Sequence, residues 1–430
     1  MLRTLRNAWS IDDLRRKLIY TMFIIFIVRV GSKIPVPFLD AKALQNAMGS
    51  GQAGLISFFN ALSGGALGQG TLFALSISPY ITASIVIQLL TVAIPALERL
   101  AKTGQEGQRA IQRINRYTTV VLSVVQGFVF YTLFKNGYGV VQTYNNAFAN
   151  TIVAVTIVLS FAAGAMLVVW LGERIDEKGI GNGISLVLFT GIVSSGPRAV
   201  LSLVNNFSRG SQYYVYVPLV AVLFVLMIAF IVLMNAGERR IPIQYAKITR
   251  GSKMYGGQKS YLPIKVSMSG VLPVIFASTF LAIPSTIKSF VDPSEQTGFG
   301  KFLGWFDHDS WLFAVLYFFL IIGFNYFYIA IQYNPIEMAN NIKNNHGAIP
   351  GIKPGRSTVE YIQKRIWRVT LVGALMLAAI AIIPIILGAL MQMNISLGGT
   401  SIIILVGVAL DTMRTLESQM MMRHHKGFLE

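Results

Sequence analysis

Two pairs of branched aliphatic residues stand four apart on proline- or glycine-bearing apolar stretches: Ile77 and Ile81 around Pro79, Leu188 and Ile192 around Gly191. A spacing of four puts both members of a pair on one helix face. Ordinary packing explains any single pair. If several helices bring such faces together, however, the chemistry on offer is exclusion, because a narrow aliphatic ring dewets and stops ions and water. Catalytic chemistry lacks its residues. There is no cysteine, which excludes disulfides, iron–sulfur clusters and thiol catalysis. His308, His346, His424 and His425 lie outside every apolar run and form no spaced ligand set with carboxylates, so no metal site and no cofactor is expected. No Walker loop, paired carboxylates or Ser/His arrangement interrupts the apolar stretches, and the chain reads as not an enzyme.

A second anomaly is the stretch 56-ISFFNALSGGALGQG-70. It opens with Ile56, Phe58, Phe59, Asn60 and Leu62, then dissolves into Gly64, Gly65, Gly68 and Gly70. Crossing a bilayer takes roughly 20 apolar residues, and this stretch offers about half of that. A glycine-rich irregular backbone at membrane depth is tolerated only inside protein or against a water-filled cavity.

The elements that must position these residues are membrane helices. Of 430 residues, 54% are hydrophobic and 13% charged, and the mean hydropathy is +0.59. Soluble domains are about 25% charged, so the chain is a polytopic membrane protein. Ten candidate spans run over 18–35, 72–94, 117–134, 151–171, 184–204, 215–236, 267–287, 311–332, 368–390 and 398–412, the last short and glycine-rich. The net charge of +18 follows from the loops: with the N-terminus inside, 28 of the 36 Lys and Arg fall on inside segments, 7 outside, and Arg29 within the first span. That bias places both termini in the cytoplasm. No cleavable leader is read at the start, because Arg29, Lys33 and two prolines follow the first apolar run. Ten spans divide into five and five, an odd number per half, so halves of shared fold would be inverted repeats. The segments are then 1–17, an amphipathic cytoplasmic entry; 18–205 and 206–412, the two halves; and 413–430, a cytoplasmic tail.

The spans hold almost nothing ionisable, with Arg29 and Asp411 near span ends, so ion coupling lacks its residues. Gln88, Gln126, Asn325 and Gln332 are uncharged, and an interhelical hydrogen bond accounts for each. The 237–266 loop mixes seven basic residues with three tyrosines and alternates apolar and polar side chains around 241–248. The 335–368 loop carries PGIKPGRST with Lys353 and Arg356. Segments of about 30 residues exceed mere connections. They are either orientation-setting charge or a docking surface for an acidic or RNA-containing partner.

The runs 76-SISPYITASIVIQLL-90, 172-GERIDEKGIGNGIS-185, 270-GVLPVIFAS-278, 334-NPIEMANNIK-343, 349-IPGIKPG-355 and 399-GTSIIILV-406, with the N-terminal RNAWSIDDLRRKL, resemble the SecY family of bacterial protein-conducting channels. The resemblance runs from end to end of the chain. It implies an all-α fold of ten transmembrane helices in two inverted five-helix halves around a central pore. The pore would be closed by a short plug half-helix at 56–70. It implies a pore ring of Ile77, Ile81, Leu188, Ile192, Ile275 and Ile404, on which the plug phenylalanines can rest. A lateral gate between spans 2 and 3 and spans 7 and 8 would carry Thr82, Gln126 and Ile283. A motor or ribosome docking surface would carry Arg239, Arg240, Lys247, Arg250, Lys353 and Arg356, although the family usually has arginine where this chain has Lys353. The implied partners are SecE-like and SecG-like small membrane subunits, the SecA motor ATPase, the ribosome, signal-sequence-bearing polypeptides and membrane lipids. The implied location is the bacterial plasma membrane, and the implied function is passage of unfolded secretory chains with sideways release of transmembrane segments. A secondary transporter with inverted repeats and a re-entrant segment would also give the five-plus-five count, and a scaffold or receptor would also explain the basic loops.

Overall fold

The computed structural model describes the chain except residues 1, 50–58, 61, 208–212, 246, 251–252, 257–258, 289–303, 307–309, 392–397 and 425–430. Side chains are also undescribed at 2–5, 47–49, 206, 247–250, 253–256, 259, 285–288, 389 and 423–424. Ile56 and Phe58 of the expected plug therefore lie outside the described residues. The first half comprises α1 (Leu2–Trp9), α2 (Asp12–Gly31), α3 (Ala41–Gly49), α4 (Ser78–Ala93), α5 (Pro95–Lys102), α6 (Gln105–Thr132), α7 (Ala147–Lys178) and α8 (Gly183–Asn206). Then come α9 (Tyr213–Ala236), strands β1 (Glu238–Tyr245), β2 (Lys247–Arg250), β3 (Lys253–Gly256) and β4 (Lys259–Lys265), and α10 (Leu272–Lys288). The chain continues through α11 (Trp311–Gln332), α12 (Pro335–Asn344), β5 (Gly347–Ala348), α13 (Arg356–Met391) and α14 (Gly399–His424).

Among the described residues, seven helices are long and apolar enough to cross a membrane, or eight if α4 and α5 count as one bent span. The expected first and seventh spans correspond to α2 and α10. The first begins with charged residues and carries Arg29, and the second has 17 residues, so neither reaches that standard of length and hydropathy. Other boundaries moved. The second expected span begins at 72, but the helix starts at Ser78 because 71–77 forms turns. The last, expected to be short, is a 26-residue helix. Arg356 opens α13 rather than lying in a loop.

Local chemistry explains several ends. Ile94 is extended (φ −107°, ψ 112°), as a residue preceding proline prefers, and the chain bends 101° there into α5. At the start of α8, Asn182 accepts a hydrogen bond from Ser185 N (2.9 Å) and Asp176 accepts one from Gly183 N (2.7 Å). Two of the four unpaired donors of that helix start are thereby satisfied. Asn182→Ala should lower the stability of the purified protein by about 1 kcal/mol, read as an earlier unfolding midpoint in detergent.

The helices meet in a pattern with one weak seam. α4 packs along α6, α6 along α7, and α7 along α8. In the second half α10 packs along α11, α11 along α13, and α13 along α14. The halves are joined through α8 against α14 and, less extensively, α8 against α9. Among the described residues, the pair α4–α6 makes at most marginal contact with the pair α10–α11.

Candidate functional site

The expected ring residues lie in a buried hydrophobic cluster. Ile77, Leu188, Ile192, Ile275 and Ile404 belong to one buried cluster, with Ile81 packed against it. They come from four places: the residue preceding α4 and its first turn, the middle of α8, the first turn of α10, and α14. Ile77 is completely buried and its carbonyl accepts from Ile81 N at 3.0 Å, so the pair shares the face that spacing predicted. The structure thus brings all six expected ring residues together.

Leu62 belongs to the same cluster. For Phe59, the one plug phenylalanine among the described residues, the expected contact with the ring is not what the structure shows. Phe59 packs edge-on against Phe130 (ring centroids 6.1 Å apart) within a separate cluster that includes Leu67, Phe134 and Phe161. Leu62 reaches the collar, and Phe59 fastens the turn to α6.

The irregular backbone after Leu62 is satisfied locally. Ser63 Oγ donates to Asn60 O (3.1 Å) and accepts from Leu67 N (3.1 Å), while Asn60 Oδ1 accepts from Gly68 N (2.8 Å). Gly64 (φ +69°) and Gly65 (φ +86°) turn the chain in a region that residues with a Cβ rarely adopt. Further along, Val36 N donates to Gly70 O (3.0 Å) and Leu72 N to Ile34 O (2.9 Å), lashing the segment to the residues after α2. Buried irregular chain with its polar groups paired is what membrane depth demands.

What lets this segment sit so close is a missing side chain on α8. A Cβ built on Gly191 would collide with the Leu62 carbonyl oxygen and lie 3.5 Å from Gly64 N. Gly191 was visible in the sequence only as the residue between Leu188 and Ile192. Nothing local marks it as a seat.

The three expected gate residues are less informative. Thr82 is half-buried and its Oγ1 donates back to Ser78 O at 3.0 Å. Ile283 is exposed on α10. Gln126 is half-buried, and its Oε1, like Asn325 Oδ1, is enclosed without a hydrogen-bond partner. The interhelical hydrogen bond expected of Gln126 and Asn325 is therefore not made by these oxygens.

At the basic end, β1 pairs antiparallel with β4 (Arg240 opposite Pro263) and also with β5 (Gln244 opposite Ala348, Tyr245 opposite Gly347). The two basic loops are therefore one structure. Their shared core includes Ile241, Ile243 and Ile264 from the strands and Ile342, Ile349, Ile362 and Ile366 from the second loop and its helices. The alternation around 241–248 overlaps β1, although an all-α fold was expected; β5, two residues long, left no signal. Arg239 and Arg240 are exposed on β1. Arg240 Nε donates to Glu238 Oε1 at 2.5 Å, which holds the guanidinium pKa above its ordinary value, and its plane lies 5.2 Å from the Tyr261 ring centre. Lys247 and Arg250 lie on β2, opposite Gly256 and Lys253 of β3. Lys353 is exposed, and Arg356 ion-pairs with Glu360 (3.1 Å) one turn along α13, a surface pair of little energetic worth.

A family profile described as SecY matches residues 71–413. A protein translocase subunit SecY from Streptomyces galbus is 40% identical over 452 residues, with the whole of both chains covered. Among solved structures, one of a protein conducting channel superposes with a TM-score of 0.65 at 17% identity, covering 94% of this chain and 92% of that one. Sec61 in a canine ribosome–channel complex from the endoplasmic reticulum superposes with a TM-score of 0.59 at 18% identity, covering 94% and 92%.

Proposed function

Since the chain belongs to the SecY family, we propose that its central aliphatic cluster is the constriction of a polypeptide-conducting passage and that the 56–70 segment is its removable stopper. The chain is a protein translocase subunit and a multi-pass membrane protein. The secondary transporter considered from the span count is not favoured. One observation supports the reading: six aliphatic residues, distant in sequence, gather in and against one buried hydrophobic cluster, and Leu62 of the broken segment belongs to the same cluster.

The rest of the proposal follows from packing. Residues 18–205 and 206–412 act as two inverted halves hinged where α8 meets α14 and α9. The weak seam between α4–α6 and α10–α11 is the sideways exit to lipid, with Thr82, Gln126 and Ile283 along it. An incoming signal sequence, itself an apolar helix, wedges that seam, the stopper leaves, and the branched side chains close around the moving chain without holding it. Both termini face the cytoplasm of a bacterial cell, where the joined β1–β4–β5 structure and its loops dock SecA or a ribosome. SecE-like and SecG-like subunits complete the complex.

Two experiments test these parts. A photoprobe at Ile81 should cross-link to a stalled secretory chain; efficient cross-linking from Ile231, buried in the second half away from the cluster, with none from Ile81, would overturn the constriction. Reversing Arg239 and Arg240 together to glutamate should weaken binding of the motor or ribosome roughly tenfold, with a shallower dependence on salt than the parent shows. Unchanged affinity and salt slope would remove these residues from the surface.

A further inference from the structure

Arg29 lies near the end of α2, beside the stopper, and the proposed mechanism leaves it unused; Lys33, two residues past α2, meets the stopper at its exposed end, donating to Gln69 Oε1 at 3.2 Å. A charge in a spanning helix faces protein or water and marks function more often than not. Here it faces the stopper. Its Nη2 donates to the Thr190 carbonyl on α8. Its Nη1 lies 2.5 Å from where a Cβ on Gly64 would stand, so a side chain there would push the guanidinium aside, and the positive φ of Gly64 (+69°) favours glycine as well. Its Nε is enclosed and has no hydrogen-bond partner. The guanidinium lines a water-sized cavity with Ser32, Ser63, Ser76, Leu62 and Gly191. From the other side, Arg198 Nη1 lies 2.7 Å from the Cβ position of Gly65. Ser76, bordering the same cavity, has φ +48°, a conformation held only where surroundings impose it.

We propose that Arg29 is the latch of the stopper, a positioning residue whose guanidinium bridges α2, the Gly64 turn and the α8 backbone while the channel rests. The inference rests on the stopper reading above. A guanidinium is poorly tolerated when dry and unpartnered. With the turn seated, its Nη2 has the Thr190 carbonyl as acceptor and its Nε has none; with the stopper gone, it opens onto the water that then fills the funnel. A half-displaced stopper would strand it between the two, so the contact favours complete seating or complete departure.

The chain has no cysteine, so one introduced thiol reports cleanly. In the reconstituted complex, Leu62→Cys should react slowly with a membrane-impermeant maleimide at rest. Adding Arg29→Gln should speed labelling roughly tenfold, because the charged hydrogen bond to Thr190 O that fixes the guanidinium against the Gly64 turn is lost, and Arg29→Lys should fall between, keeping charge but losing the fork. Gly64→Ala perturbs the same contact from the stopper side. If the latch exists, Arg29→Gln and Gly64→Ala together label no faster than the faster single variant; additive acceleration, or slow labelling in Arg29→Gln, overturns it. The double variant is scored against Gly64→Ala alone if Arg29→Gln is poorly recovered. Deletion of 57–67 separates the two readings: a leaky deletion with a tight Arg29→Gln sinks the latch alone, whereas a tight deletion sinks the stopper.

Discussion

Replacing Ile81, Ile192 and Ile404 together by glycine raises the resting ion conductance of the reconstituted channel by at least an order of magnitude in planar bilayers. The three residues come from α4, α8 and α14, so the change opens the collar from three directions at once. Each truncation removes a whole branched side chain. A ring that was dry because its members touched then admits water, and ions follow water. Glycine also costs about 1 kcal/mol per position in a helix, and each cavity adds roughly 2–5 kcal/mol, so a leak from general loosening must be ruled out. Ile157, Ile231 and Ile321 provide that comparison. They are completely buried in α7, α9 and α11, outside the collar, and carry the same backbone penalty. The collar triple should leak and the distant triple should not; equal conductance in the two would discard the ring.

Gly191→Val gives the second large effect, without touching a ring residue. The new Cβ has no room, because it would fall on the Leu62 carbonyl oxygen, and that atom belongs to backbone already held by the hydrogen bonds around Asn60 and Ser63. Either α8 shifts or the stopper stays out. The cheaper response is displacement of the short segment, since α8 is packed along its length against α7 and α14. The expected result is a resting leak comparable to that of a 57–67 deletion, with export largely retained. Gly196→Val on the same helix is the matched control, because a Cβ there meets nothing within 4 Å. A tight Gly191→Val channel would mean that the segment does not seat where the structure places it.

Much of this was legible beforehand, and the reasons are local. Ile77 and Ile81 declare a shared face because four residues make about one helical turn. The broken character of 56–70 is written in glycines that make regular helix costly. The alternation around 241–248 overlaps strand β1, but an all-α fold was expected and no strand was read from it. Its partner β5 left no signal at all, since a two-residue strand has no period to detect. The phenylalanines were the natural choice for the contact with the ring, being the largest apolar side chains of the stretch, yet Leu62 makes it and Phe59 turns toward Phe130. Size ranks the hydrophobic gain of burial but not its direction. Gln126 and Asn325 were expected to bond between helices, and the oxygen of each ends enclosed and alone.

By itself, then, the chain's residue order determined that this is a membrane protein of many spans, roughly where its apolar segments lie although not the full lengths of helices α6, α13 and α14, and which faces are aliphatic, because hydropathy and periodicity act over one or two helical turns. Only the tertiary structure decided that four of those faces meet, that Leu62 joins their cluster, that Gly191 leaves room for it and that Arg29 stands beside the turn. Those contacts join segments up to several hundred residues apart, and their distances depend on how whole helices cross, a quantity no short window of sequence contains.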